Sequence, residues 1–406
     1  MPSLRRFNFS DMKIANRLAI FVVVLGLPVC VLLFAQYRAA QEQIDFAEAE
    51  SDGMTYVAAL IPFMTDVQNH RALALAVLNG DATGIAALEK SAADGDASLA
   101  ALQAVDGRFG ERFKTGDALA RIREQWGASR DTPASLSPET SADVHSTLIR
   151  ESVLPLLRTV VTNSRLAVDP DVATRSLIAA LTESMPGMNE ALSDARGYSA
   201  AVLLQRKGFG ARDDQKLYLT ARLAVVKAEG ETMIRSLETA MAANPTFEAS
   251  LRPTLSRTTT ARESFESVVK GYIIESATVG NPSVFTLGGR ATELSSALLT
   301  ESRTGLEKEF NSRADAARMD LYSQGGIALG GIVVALLMAI VVSRTITRPI
   351  SHLAEVADRM SLGELDVEID VNGNNEVGQL AESLRRMQAS LRSAIERLRQ
   401  RRQNAA

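Results

Sequence analysis

Two arginines carry the sequence's sharpest hint of chemistry. Arg71 lies in VQNHRALALAVLNGD, followed directly by the apolar run ALALAVL, and Arg196 lies in DARGYS. A guanidinium beside an apolar helix seam offers a planar fork of donors that can grip an anion through two parallel hydrogen bonds. Arg71 and Arg196 are therefore the candidate ligand-binding residues, and the ligand class they imply is a small anion. A competing reading stays open for each: an arginine snorkelling at the surface, or one paired with an acid such as Asp66 or Asp194. His70, beside Arg71, reads as a solvated neighbour rather than a ligand. His70 and His145 show no metal-ligand spacing, and no cysteine accompanies them. There is no serine–histidine–acid set, and no phosphate-cradling glycine loop at a strand–helix junction. The chain is expected not to be an enzyme and to need no cofactor or metal.

The elements that must position these arginines read as helices. The chain has 406 residues, too many for one compact domain, and is 46% hydrophobic with only 5% aromatic. Alanine and leucine dominate, which favours helices over strands. A net charge of −4 without a basic stripe argues against nucleic acid. Cys30 is the single cysteine, so no intrachain disulfide forms. Two uncharged runs, LAIFVVVLGLPVCVLLFA from residue 18 and GGIALGGIVVALLMAIVVS at 325–343, approach the roughly 20 residues that cross a bilayer. Arg5, Arg6, Lys13 and Arg17 precede the first, and Arg344 and Arg348 follow the second, which places both termini in the cytoplasm. A cleaved signal peptide is the alternative for the first run, but it is long and has no clear small-x-small site behind it. The residues between are expected to lie outside the membrane as about eight helical segments. Gly53 and Pro62 are open positions for breaks in the first helix, a bend or break is placed near Pro186-Gly187, and loops at 129–138 and around KGFGARDD and VGNPS. Two four-helix layers stacked along the membrane normal would use that length.

The C-terminal stretch is the most specific. ITRPISHLAEVADRM gives an apolar stripe at Ile346, Ile350, Leu353, Val356 and Met360, with Pro349 in a first turn where its missing N–H costs nothing. Gly363-Glu364-Leu365 ends that helix: glycine tolerates positive φ, and Leu365 can fold back. Ile369 would be a second anchor. Asn375-Glu376-Val377-Gly378 opens another helix, with Asn375 as cap, Glu376 at the positive end of the dipole and Gly378 marking close approach of the connector. Val377, Leu380, Leu384, Met387, Leu391, Ile395 and Leu398 then step by three and four, a coiled-coil seam. Seam residues should be buried between two chains, and Arg385, Arg386 and Arg392 solvated. A membrane helix joined through proline to helix–connector–helix resembles the HAMP linker of bacterial chemoreceptors and sensor kinases. Asn375 stands where that family usually has aspartate. The resemblance implies a parallel four-helix bundle from two chains, with Pro349, Leu353, Gly363, Leu365, Ile369, Glu376, Gly378, Leu380, Leu384, Met387 and Leu391 as relay residues.

Two outer stretches are similar to the all-helical sensor domains of bacterial chemoreceptors: VQNHRALALAVLNGD, and SRLAVDPDVATRSL with MPGMNEALSDARGYS. The first also resembles the glutamine-x-x-arginine helix of nitrate/nitrite-sensing domains, which are built as two stacked bundles. The resulting reading is all-α: a cytoplasmic head at 1–17, membrane helices at 18–36 and 325–343, a periplasmic helical sensor at 37–324, a HAMP unit at 344–398 and a basic tail at 399–406. The implied protein is a multi-pass receptor of the bacterial inner membrane that resembles methyl-accepting chemotaxis receptors. Its expected partners are the lipid bilayer, a second copy, a small anionic periplasmic ligand and a cytoplasmic signalling protein, with no nucleic acid. No methyl-accepting signalling domain, kinase or cyclase follows Leu398, so the output is expected either through a bound protein or through a domain beyond a truncated chain. A non-signalling envelope scaffold is the alternative.

Overall fold

A computed structural model describes residues 14–131, 136–205, 212–275 and 284–403. These residues are helical apart from short turns and one extended connector, with no strand among them. The basic head before Lys13 and the loops expected at KGFGARDD and VGNPS lie mostly or wholly outside the described residues, as do positions 132–135 of the expected 129–138 loop. The chain divides into two compact units, Glu42–Ala317, and Met1–Gln41 with Arg318–Ala406.

The Glu42–Ala317 unit takes most of its chain from α1 (Ile14–Leu78), α2 (Ile85–Phe113), α3 (Gly116–Asp131), α4 (Pro138–Thr147), α5 (Leu154–Asn163), α6 (Val172–Ala179), α7 (Met185–Gln205), α8 (Asp213–Ala243), α9 (Pro245–Val268) and α10 (Val284–Val342). Wide π-helical turns at Leu148–Val153 and Ala180–Ser184 join α4 to α5 and α6 to α7, so among the described residues eight helical runs enter the unit. Local chemistry sets several starts. Ser137 accepts the Thr140 N–H ahead of Pro138, Asp171 accepts from Thr174, and Asn244 accepts from Thr246 ahead of Pro245.

Helix α1 passes without interruption through Gly53 and Pro62, the two open positions for breaks. The predicted bend near Pro186-Gly187 is a π-turn one step earlier, at Ala180–Ser184, which absorbs the irregularity without ending the helix.

The expected stacking of two layers along the helix axis is also corrected. At one end, Gly53 of α1 abuts Ser164 after α5, and Arg313 of α10 reaches Asp169 before α6. At the other end, Leu75 of α1, Pro138 of α4, Tyr198 of α7 and Gln215 of α8 line one small cavity. The runs α1, α4–α5 and α6–α7 therefore lie alongside one another from end to end, about 45 Å for a 30-residue helix. The two quartets, α1 to α5 and α6 to α10, sit side by side around one continuous core that includes Phe63, Trp126, Leu181, Met233, Phe265 and Phe310.

The helical run Val284–Ser361, which begins in the Glu42–Ala317 unit and continues past Arg318, is long and apolar enough to cross a membrane, and none of its apolar stretch is buried within the chain. It is the one such run among the described residues. The first expected span, 18–36, belongs to α1, where Phe21, Leu27, Leu32 and Phe34 are exposed. A π-turn at Ser343–Thr347 leads into α11 (Arg348–Ser361), with Pro349 in its first turn, and α12 spans Glu376–Gln403.

Candidate functional site

The polar face of α7 organises the first candidate site. Asn189, Ser193 and Arg196 recur at steps of four and three, so they share one side of the helix, and that side is turned inward. Arg196 is 6% exposed. Its Nη2 donates to Asn69 Oδ1 of α1 at 2.9 Å and its Nη1 to Thr292 Oγ1 of α10 at 3.4 Å, while Nε has no partner. The guanidinium lies 5.1 Å from the centre of the Phe285 ring. Gly288 makes room for the side chain: a Cβ there would stand 2.6 Å from Arg196 Cγ. No carboxylate forms an ion pair with Arg196 among the described residues, and burial, with the Arg71 charge nearby, pushes it down to about 10. Beside it is a cavity of about 220 Å³ lined by Thr65, Asn69, Asn189, Ser193, Arg196 and Thr292, among others. The Ser193 hydroxyl is buried there without a partner, and the one carboxylate on the lining, Glu293, binds Arg290 at 3.1 Å.

Arg71 is differently placed. It is 2% exposed and held by Glu190 through two bonds, Nη1 to Oε1 at 2.6 Å and Nη2 to Oε2 at 3.2 Å. Ser146 accepts a third bond at 2.8 Å, and Gln68 donates to Glu190 Oε2 at 3.0 Å. Burial alone would lower the Arg71 pKa, but the Glu190 and Asp194 charges outweigh it and hold it above its ordinary value. The acid is thus Glu190, not Asp66 or Asp194. Asp194 instead accepts from Tyr218 at 2.8 Å and Arg222 at 3.0 Å.

His70 is not solvated. It is 1% exposed, edge-on to Trp126, and its Nδ1 meets His145 Nε2 at 2.9 Å. His145 Nδ1 must donate to the Ser141 carbonyl 2.7 Å away, because a carbonyl only accepts. In the neutral pair His145 Nε2 therefore accepts and His70 Nδ1 donates. Burial pushes His70 down to about 4 and His145 to about 3. Among the described residues no cluster of three or more His, Cys, Asp or Glu could hold a metal.

Sequence reasoning missed Glu190, Asn189, Ser193, Asn69 and Thr292. The available signal was the polar face at steps of three and four inside MPGMNEALSDARGYS, where a core-facing stripe would ordinarily be apolar.

The C-terminal helix–connector–helix builds a second small core. Leu353, Val356 and Met360 of α11 pack with Ile369 of the connector and Ala381 of α12. Gly363 ends α11 at φ 90°, and Glu364 N–H returns to Arg359 O at 3.1 Å. Along the connector, Leu365, Val367, Ile369 and Val371 point inward at every second residue, Leu365 half-buried and Ile369 buried. Asn375 Oδ1 accepts the Gly378 N–H at 3.1 Å. A Cβ on Gly378 would lie 1.8 Å from the Gly373 carbonyl oxygen, so only glycine fits. Glu376 is exposed in the first turn of α12.

Arg385 corrects the expectation of solvated arginines between the seam positions. Its guanidinium donates to the carbonyls of Ile369 at 3.1 Å and Val371 at 2.7 Å and to Asn372 at 2.7 Å. Gln388 holds the Leu365 and Val367 carbonyls at 2.9 and 2.7 Å, and Arg392 binds Asp366. One face of α12 thus clips the connector. Leu380, Met387, Leu391, Ile395 and Leu398 remain exposed in the single chain, and Leu384 is half-buried against the chain's own core.

The family whose pattern matches this region is the HAMP domain, over residues 341–393. Three bacterial relatives are similar to stretches of the chain. A sensory transducer protein of Acetivibrio thermocellus is 39% identical over 62 residues, 15% of this chain and 11% of that protein. The methyl-accepting chemotaxis protein TlpB of Bacillus subtilis is 41% identical over 69 residues, 17% and 10%. NahY, a methyl-accepting chemotaxis protein of Pseudomonas putida, is 32% identical over 98 residues, 23% and 18%. The match thus spans a tenth to a fifth of each relative's length. In fold, the chain is similar to the solved structure of the NasR transcription antiterminator, with TM-score 0.54, 14% identity, and coverage of 89% of this chain and 94% of that one. That likeness shows the fold alone. The described residues are all-helical apart from turns and one connector, residues 341–393 match the HAMP domain, and short stretches of the chain are similar to bacterial sensory and chemotaxis transducers.

Proposed function

We propose that the protein is a membrane-anchored receptor whose helical unit at 42–317 senses a small anion and whose HAMP domain relays the state of that unit to a cytoplasmic signalling protein. In this reading the apolar stretches at 18–36 and 325–343 both cross the bacterial inner membrane. The sensor is periplasmic, both termini are cytoplasmic, and two copies pair through α12. The observation that carries the ligand half is Arg196, a buried guanidinium with no carboxylate partner among the described residues, beside a polar cavity of about 220 Å³. Burying a cation without a counter-charge is costly, and an anion in the cavity would remove that cost. Arg71 is already neutralised by Glu190, so the reading rests on Arg196. Such a ligand acts on the receptor only through a difference in affinity between two states.

The test uses the purified full chain in detergent with sodium nitrate, nitrite, chloride and sulfate at matched ionic strength. At least one of these anions should raise the thermal midpoint of the wild type, and Arg196→Ala should abolish the rise. No shift with any anion, or a shift that survives Arg196→Ala, would overturn the proposal.

A further inference from the structure

Glu50 belongs neither to the anion cavity nor to the HAMP domain. It lies on α1 with 0% of its surface exposed, and neither carboxyl oxygen receives a hydrogen bond from a donor. Asp169, between α5 and α6 and also 0% exposed, is the acidic group that acts on it. Asp169 is already engaged: the Asp171 N–H donates to its Oδ1 at 2.7 Å, and Arg313 Nη1 of α10 donates to its Oδ2 at 2.9 Å. Arg313 further bonds Thr174 Oγ1 at 2.7 Å and lies 3.5 Å from Asp171 and 3.7 Å from Glu309. The charged groups acting on Glu50 are Asp169 and Arg313, and Arg313 is shared among three other carboxylates. Two ionised carboxylates in contact and away from water repel strongly, and such pairs keep a proton between them.

We propose that Glu50 and Asp169 form a proton-binding site, in which one shared proton fastens α1 to the turn that Arg313 ties to α10, making alkalinity a second input to the helical unit. Burial, aided by the Asp169 charge, pushes Glu50 up to about 9 from the ordinary 4.5. The folded chain therefore keeps a proton that the unfolded chain releases near 4.5. Between about 4.5 and about 9, rising pH lowers the stability contributed by this pair, and above about 9 the loss is complete. Once the proton leaves, the two carboxylates repel, and the strain is relieved by moving α1 away from the turn.

The full chain in detergent tests this in two ways. Infrared spectroscopy of the wild type should show a protonated-carboxyl band at pH 7 that disappears around pH 9 to 10 and is missing in Glu50→Gln. The amide introduced by Glu50→Gln can still donate to Asp169 without titrating, so the gap in thermal midpoint between this variant and the wild type should widen in the variant's favour from pH 5 to pH 9. Arg386→Ala, at an exposed position of α12, should leave both readouts unchanged. If the wild type has no such band at pH 7, Glu50 is ionised and the proposal fails. A constant midpoint gap across the pH range would overturn it as well.

Discussion

At the scale of single residues, the two candidate arginines behave as different chemical objects. Arg71→Ala breaks the buried ion pair and leaves the Glu190 carboxylate with Gln68 as its close donor and Arg150 at 3.9 Å, so it should cost about 3–5 kcal/mol in a denaturant titration, whether or not an anion is present. Arg196→Ala removes a cation that has no counter-charge, so the same titration should register a far smaller loss. Equal losses would mean that Arg196 has a hidden acidic partner in the fold. The histidine pair gives a second residue-level expectation. His70 and His145 fall to about 4 and about 3 in the fold against 6.5 unfolded, so the unfolded chain binds more protons between those values. Stability contributed by the neutral pair is therefore whole above about 6.5 and is lost as pH falls through about 4. The thermal midpoint should drop on acidification in this window, and His145→Gln should flatten the drop. An unchanged slope in His145→Gln would place the acid sensitivity elsewhere.

At the scale of elements, α12 has two working faces. One carries the exposed leucines, and the other, through Arg385, Gln388 and Arg392, holds the connector's carbonyls and Asp366. Arg385→Ala removes charge-assisted bonds to Ile369 and Val371, worth roughly 1–3 kcal/mol together, so amide exchange at 366–374 should accelerate. Arg386→Ala, on the solvated side, should leave exchange there unchanged, and matched effects would show that the clip contributes nothing. The sequence made the helix ends of this region readable because the rules involved are local. Glycine is needed at φ 90° at residue 363, and Asn375 caps α12 through the Gly378 N–H. The Arg385 clip was not readable, because an extended connector has no period that says where its carbonyls fall. The same limit explains the Arg71–Glu190 pair, whose partners are 119 residues apart. Helix count followed from breaks and caps. The side-by-side arrangement depended on which breaks are real, and the chain absorbs Gly53, Pro62 and Pro186 within helices.

At the scale of the whole molecule, the expectations concern the bilayer and a second copy. If 18–36 and 325–343 both cross the membrane, a cysteine at the exposed position 107, in a Cys30→Ser background, should react with an impermeant maleimide added outside intact inner membranes. A cysteine replacing Ala406 should be protected, and the reverse pattern would invert the topology. The second copy follows from the surface that α12 leaves open. Leu380, Met387 and Leu391 are 47%, 47% and 41% exposed, and all lie at seam spacing on one helix face. In a soluble coiled coil that face is covered by a partner helix, and covering a leucine fully contributes about 1.5–3 kcal/mol. Leu384 is a poor probe, since it already packs on its own chain beside Val371 and Val377. Leu391 has no such internal support, so Leu391→Ala should weaken the dimer while leaving the fold of each chain intact. Cross-linking between single cysteines placed at position 395 of full-length chains should fall in Leu391→Ala and hold in Arg386→Ala. Equal cross-linking in both, with unchanged helicity, would mean that α12 meets a different partner and that the two-chain relay does not pass through this face.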